Sequence, residues 1–238
     1  MCGRAYETYT DEELYFRYLT KRSHLPPLSP NYNLCPTQDS PVLRVVSGER
    51  QFDAMHWQLI PSTSKDFATK LSTINARSET VFESRLYRSL IVRQRCIIPI
   101  GGFYEWKKDI GRKRPFRIQL KDDPIMSVAG IWAAWRPGTP DERGSFAIMT
   151  TTANEFMGAI HDRMPVILDR PDEDAWLDPG IQDRDVVGNL MKPCPNSWLT
   201  ALEVSPRVNS PRNNDPTVLL PAEPADVRKG VVRGLFDQ

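Results

Sequence analysis

Cysteine is scarce in this chain: four in 238 residues, at positions 2, 35, 96 and 194, with no CxxC pair among them. Only His24, His56 and His161 stand beside them, so the sequence holds no zinc-ligand spacing, and neither a metal nor a cofactor is expected. Scattered single thiols argue against disulfides and suit a reducing compartment. Long apolar runs are also missing. The opening MCGRAYETYTDEEL has no signal-peptide core, and nothing approaches the roughly 18 apolar residues that cross a bilayer. The expectation is a cytoplasmic protein, nucleoid-associated if bacterial, with no membrane partner. Strong net charge is absent too, at +1, which excludes a bulk polycation. There is no internal repeat and no low-complexity linker.

What is present is a 40% apolar chain with six Trp and nine Phe, enough for a sizeable core. Its 21 prolines exceed the usual share of about 5% and point to many loops and extended segments. Thr10-Asp11-Glu12-Glu13 is a capping box opening a helix to about Lys21. The stretch VLRVVSGERQFDAMHWQLIP reads as a hairpin turning near Gly48, with Met55, Trp57 and Leu59 on one face. Residues 73–96 read as part loop and part amphipathic helix. Strands are expected near 96–107, 115–120, 125–135, 145–152 and 164–168, and a last one in LTALEVSPRVN. Short helices are expected at 153–160, in DRPDEDAWLDP and in IQDRDVVGNLMK. Many short strands with scattered helices and no βαβ rhythm define an α+β single domain. It is expected to cover residues 1–221, followed at 222–238 by a proline-containing tail that wraps the surface or stays mobile.

Charge is unevenly placed. Residues 85–117 hold ten Lys/Arg against Glu105 and Asp109, a net of +8 in a nearly neutral chain. Such a stretch is either a solvated face or the footprint of a nucleic-acid site.

Four polar clusters could carry chemistry. Cys2-Gly3-Arg4 puts a thiol at the second position, with Gly3 leaving room for another molecule's backbone. In NARSET, Asn75 and Arg77 share a face if extended. In GGFYEWKK, alternation sets Glu105 on the face of Phe103 and leaves Tyr104 and Trp106 on the other. A carboxylate in apolar company is either ion-paired, with Arg77 as an ordinary candidate, or has a raised pKa. In HDRMP, His161 follows a short helix, where an ordinary cap or surface residue would also stand. Tyr104 and Trp106 would serve equally as core residues.

Taken together, MCGR, NARSE, RCIIPIGGFYEW, HDRMP and VSPRVN occur in the order found in the SOS-response-associated peptidase family, which the chain resembles from Cys2 to about Pro221. The resemblance implies curved, mainly antiparallel, barrel-like sheets with flanking short helices around a DNA-binding cleft. It further implies a monomer that senses abasic sites in single-stranded DNA, including at single-/double-strand junctions, and traps them covalently. Cys2 would form a thiazolidine once Met1 is removed, by a Schiff-base, lyase-type route, and the family name records a proposed peptidase activity. Asn75, Glu105 and His161 would be the partners of Cys2. Gly3, Arg4, Arg77, Arg85, Trp106, Asp162 and Arg163 would contact DNA. The chain departs from the family pattern at Gln58, where glycine is usual, and at Thr63, where an aromatic is usual. A DNA-wedging contact is expected to be missing there.

The chemistry explains the position of Cys2. An amine attacks an aldehyde only when unprotonated. At pH about 7.4 a lysine with pKa about 10.4 is free roughly one part in a thousand, against roughly a quarter for an α-amine near 7.7–8.0. The thiol on the same residue then closes a five-membered ring at very high effective concentration. Imidazole, with an ordinary pKa of about 6.5, suits proton donation to the sugar ring oxygen. Two other readings remain open: an N-terminal-nucleophile amide hydrolase with Cys2 as nucleophile, and a non-covalent single-strand binding module with a structural Cys2.

Overall fold

The computed structural model describes residues 2–20, 22–109 and 111–223. Most of the tail expected at 222–238 therefore lies outside the described residues. In chain order the strands are β1 (Ala5–Glu7), β2 (Arg22–His24), β3 (Asn31–Leu34), β4 (Asp39–Val46), β5 (Glu49–Trp57), β6 (Asn75–Arg77), β7 (Arg95–Ile100), β8 (Gly102–Asp109), β9 (Arg112–Leu120), β10 (Met126–Trp135), β11 (Arg143–Thr152), β12 (Arg163–Pro165), β13 (Ile167–Leu168) and β14 (Leu199–Glu203). The helices are α1 (Asp11–Tyr18), α2 (Leu90–Arg93), α3 (Glu155–Gly158), α4 (Arg170–Leu177) and α5 (Arg184–Asn189).

Five strands close into a barrel. β5, β4, β7, β10 and β11 pair antiparallel in that order, and β11 returns to β5 in parallel, with Ser145 and Phe146 opposite His56 and Trp57. Closure removes the open edges that a five-stranded sheet would otherwise expose. The second sheet is open and antiparallel, in the order β14-β9-β8-β1-β3.

Barrel strands bury both faces. Leu43, Phe52, Ile97, Ile131 and Ala147 pack with Leu14 and Tyr18 of α1, Ile91 of α2 and Trp176 of α4. Val42, Met55, Trp57, Ile98 and Phe146 pack with Ala5, Phe103 and Ile118 of the second sheet. Doubly covered strands read as continuous apolar runs rather than alternation, as CIIPI does. The outer face of the second sheet is covered in turn: Tyr6 and Tyr104 meet Val204, Val208 and Val218. Residues 205–221 thus wrap the sheet, ending in a bridge between Val204 and Pro221.

Several expected boundaries move. The capping box of α1 is present, Thr10 Oγ1 accepting from the Glu13 amide at 3.2 Å and Glu13 from the Thr10 amide at 2.7 Å. The helix stops at Tyr18, because Leu19 turns left-handed (φ 51°) and caps it. The 47–48 turn is a tight hairpin with positive φ at Ser47 (52°) and Gly48 (82°), the geometry that matches strand twist. Leu59 lies beyond β5 and packs on the helix side, apart from Met55 and Trp57. The expected strand 96–107 is two strands in different sheets. They part at Gly101-Gly102, where a Cβ on Gly102 would sit 2.3 Å from the Ile118 carbonyl oxygen. Of the helix expected in 73–96 only the four residues of α2 form, since Asn75–Arg77 is taken by pairing with β11.

Candidate active site around Cys2

β1 lies against β8, with the Tyr104 amide donating to the Arg4 carbonyl at 2.9 Å. This carries Cys2-Gly3-Arg4 past the middle of β8. Cys2 is fully buried, in the cluster that includes Phe103 and Ile148. Burial, followed by the Glu105 charge, pushes its thiol up to about 12, so the thiol is protonated at neutral pH.

β6 and β8 meet at this residue, and the loop after α3 acts on Glu105 of β8. β6 runs parallel to β11, with Asn75 opposite Ile148 and Arg77 opposite Thr150. Asn75 Nδ2 donates to the Cys2 carbonyl at 2.8 Å, while its Oδ1 is buried with no partner. Ala76 between them is buried in the core and Arg77 is exposed, so the extended reading of NARSET holds. Glu105, on β8, is 4% exposed. Burial raises its pKa, opposed by nearby positive charge that includes His161. His161 closes the loop after α3, its amide bonded to the Met157 carbonyl at 2.8 Å. Its Nδ1 accepts from the Arg163 amide at 3.0 Å and lies 3.0 Å from Asp162 Oδ1. One nitrogen cannot accept from the first and donate to the second. The backbone bond is the better fixed, since Asp162 is 87% exposed, and it puts the proton of the neutral ring on Nε2.

The residues expected to touch DNA divide. Arg77 and Arg85 are exposed, Arg85 in the turns before α2 and without a tie to the cluster among the described residues. Arg4 is committed within the protein: Nη1 donates to Asn33 Oδ1 and the Val208 carbonyl, both at 2.7 Å, and its guanidinium lies 5.8 Å from the Trp106 ring. Trp106 is half-buried and donates from Nε1 to Asn209 Oδ1 at 2.7 Å. Arg163 forms a bidentate pair with Glu79 at 2.6 and 3.0 Å and also donates to the Thr150 carbonyl. Gly3 is half-buried and Asp162 exposed.

Asn33, Glu79 and Asn209, absent from the sequence reading, are therefore the partners that hold its arginines and tryptophan. Glu79 and Asn209 carried a signal, as the last letters of NARSE and VSPRVN, and Asn33 carried none.

The basic stretch is not one patch. Arg95 is buried, donating to the carbonyls of Ile91, Val92, Trp176, Asp178 and Ile181. Arg114 pairs with Glu203. Lys107, Lys108, Arg112 and Lys113 sit on the β8–β9 hairpin, where Lys107 is opposite Arg114 and Lys108 opposite Lys113.

This architecture recurs in known proteins. The SOS response associated peptidase (SRAP) family matches residues 1–211, and the chain belongs to that family. Among its relatives, the abasic site processing protein YoaM of Bacillus subtilis is 36% identical over 227 residues, covering 92% of this chain and 97% of its own. YoqW of the same organism, also an abasic site processing protein, is 38% identical over 193 residues, covering 80% and 85%. The abasic site processing protein HMCES of Xenopus tropicalis is 34% identical over 219 residues, or 79% of this chain and 64% of its own length. A crystal structure of a protein from Bacteroides thetaiotaomicron superposes with a TM-score of 0.83 at 28% identity, covering 93% of this chain and all of that one. No helix among the described residues is long and apolar enough to cross a membrane.

Proposed function

We propose that this protein captures abasic sites in single-stranded DNA through Cys2, after removal of Met1. The observation that carries the reading is the meeting of two separate elements on Cys2, with a third acting on Glu105. Asn75 holds the Cys2 carbonyl, while the buried Glu105 acts electrostatically on the Cys2 thiol and feels the charge of His161.

In the reaction, His161 protonates the ring oxygen of the abasic sugar and the aldehyde opens. The Cys2 α-amine, freed of Met1, attacks the aldehyde carbon. The hydroxyl of the adduct leaves as water with a proton from Glu105, whose raised pKa keeps it available as an acid. The thiol sulfur then bonds to the imine carbon, the C=N electron pair returns to nitrogen, and the thiol proton passes to Glu105. The product is a thiazolidine. Asn75 keeps the Cys2 backbone still throughout, so the ring closes from one orientation. Exposed Arg77 supplies a phosphate contact beside the site, in a cleft that also involves Gly3, Trp106 and Asp162. Arg163 reaches a phosphate only by exchanging it for Glu79. The same N-terminal chemistry makes the protein an enzyme acting on abasic DNA, with release of Met1 as its peptidase step.

The test is the intact mass of the protein, alone and after incubation with an abasic single strand. Loss of Met1 and an adduct stable to denaturation, absent in Cys2→Ser, is the expected result. Reversible DNA binding without adduct would favour a binding module. No DNA binding at all would favour an amide hydrolase.

A further inference from the structure

A cleft of about 420 Å³ opens next to β6, beginning at Ser78, the residue after Arg77. Phe82 and Met191 give it apolar surface, and Glu79, Asp185 and Asn189 a polar rim. The chain from Asn75 to Ser78 is extended, since Ser78 continues the pairing to Thr150 at 2.8 Å. That places the cleft about 10 Å from the residue that holds Cys2, at roughly 3.3 Å per residue.

Gly188 is the feature that needs explaining. It lies inside α5, where glycine weakens a helix relative to alanine. Its φ is not in the left-handed region. A Cβ built on it meets nothing within 4 Å. Neither backbone conformation nor a neighbouring atom calls for a glycine, and a side chain there would project into open space at the wall of the cleft. The missing side chain leaves the cleft open.

The lining selects the occupant. The guanidinium of Arg184 lies 5.0 Å from the Phe82 ring centroid and is paired with Glu83, so a planar group is already stacked on this aromatic. Asp185, and Glu79 once Arg163 leaves it for a phosphate, put carboxylates on the rim that oppose a further anion but accept from an exocyclic amine. The Asn189 amide offers one donor and one acceptor side by side, the pattern that reads a base edge. A flat neutral ring with polar edges satisfies all of these.

We propose that this cleft is a subsite for a nucleobase of the captured single strand, within a few nucleotides of the abasic sugar, with amino-bearing bases preferred over thymine. The proposal rests on the reading of Cys2 as the capture residue. Stacking a base on an aromatic tolerates any sequence, and the rim carboxylates add the preference.

The test uses the full chain with glycine replaced at one position. Gly188→Leu fills the cleft, while Gly188→Ala adds one carbon and leaves most of it empty. Both variants are expected to melt at or above the wild-type temperature, because the helix loses a glycine, so lost binding is not lost folding. Affinity is measured for oligonucleotides with a tetrahydrofuran at the central position, which cannot react. Bases on either side are replaced one at a time by a second tetrahydrofuran. Gly188→Leu is expected to bind about tenfold more weakly and Gly188→Ala within twofold of wild type. Removing one particular flanking base should weaken wild type by a similar factor and leave Gly188→Leu unaffected, the signature of a shared contact. Adduct formation by Gly188→Leu at saturating abasic DNA should match wild type. Unchanged affinity in Gly188→Leu, or equal loss in both proteins on base removal, overturns the subsite while adduct formation leaves Cys2 capture standing. Absence of any adduct in wild type overturns both.

Discussion

Glu173 and Glu105 are almost equally hidden from water, at 3% and 4% exposure, yet the protein surrounds them differently. Glu173, on α4, accepts from both terminal nitrogens of Arg17 on α1, at 3.1 and 2.5 Å, and from Ser127 Oγ of β10 at 2.6 Å. The Tyr18 hydroxyl shares a further 2.7 Å bond with Ser127, so the network ties two helices to the barrel. Around Glu105 the positive charge includes His161. Burial outweighs the positive charge around it, and its pKa rises. A carboxylate matched by a charge and a hydroxyl is a structural tie. One whose burial outweighs the positive charge around it holds its proton to higher pH than usual, the direction that suits an acid–base group. Glu7 stands between the two: buried, bonded by Ser40, and pushed up to about 8 by burial.

The sharpest way to break this comparison is to neutralise Glu105. Glu105→Gln is expected to slow adduct formation about a hundredfold, the lower range for a lost acid–base group, with DNA affinity and melting temperature nearly unchanged. The limb of the pH–rate profile that falls as Glu105 ionises should vanish with it. Equal losses in rate and affinity would remove Glu105 from the chemistry.

Glu173→Ala should do the reverse. Removing Glu173 from the buried pair leaves Arg17 with Asp123, 3.3 Å from its Nε, and costs about 3 kcal/mol of stability. A denaturant titration reads that loss, while the adduct rate of the folded protein stays at the wild-type value.

Glu7 sharpens the comparison through pH. Its folded pKa of about 8 lies above the ordinary value of 4.5, so burial favours the protonated form. The associated stability is fully present below about pH 4.5 and is lost as pH rises through about 8. Glu7→Gln keeps the acceptor for Ser40 and cannot ionise. Wild-type melting temperature should fall more steeply than that of the variant between pH 5 and pH 8.5, in thermal scans across that window.

The smallest effect is expected at Arg77. Arg77→Ala should weaken single-strand binding modestly and reduce the salt slope by about one, with the adduct rate at saturating DNA unaffected. Affinity measured at several salt concentrations checks this.

The four residues proposed for the reacting cluster could be singled out in the sequence because their chemistry is local. A thiol and α-amine on one residue, an amide two positions from an arginine on an extended strand, and a carboxylate sharing a face with Phe103 are patterns of a few residues. The capping box of α1, the 47–48 turn and the strand-rich middle were legible for the same reason. The role of each arginine was not. Arg4, Arg95 and Arg163 look alike in the chain. In the fold one is held by Asn33 and Val208, one by five carbonyls, and one by Glu79. Their partners arrive from elements far away in sequence, so charge counting over residues 85–117 merged a buried guanidinium with solvent-exposed lysines. The break between β7 and β8 was missed because CIIPIGGFYEW has no polar residue before Glu105 to mark it. At Gly102 the backbone of the neighbouring β9 comes too close for a side chain.

By itself, then, the sequence determined the chemical groups on offer, the α+β class and the family to which the chain belongs, since these follow from residue types at short spacings. Tertiary structure alone decided which carboxylate is clamped by an arginine and a serine, which arginines are exposed, and where an open cleft borders β6. Burial and pairing are set by what packs from distant segments, and desolvation acts on a group only once those segments have closed around it.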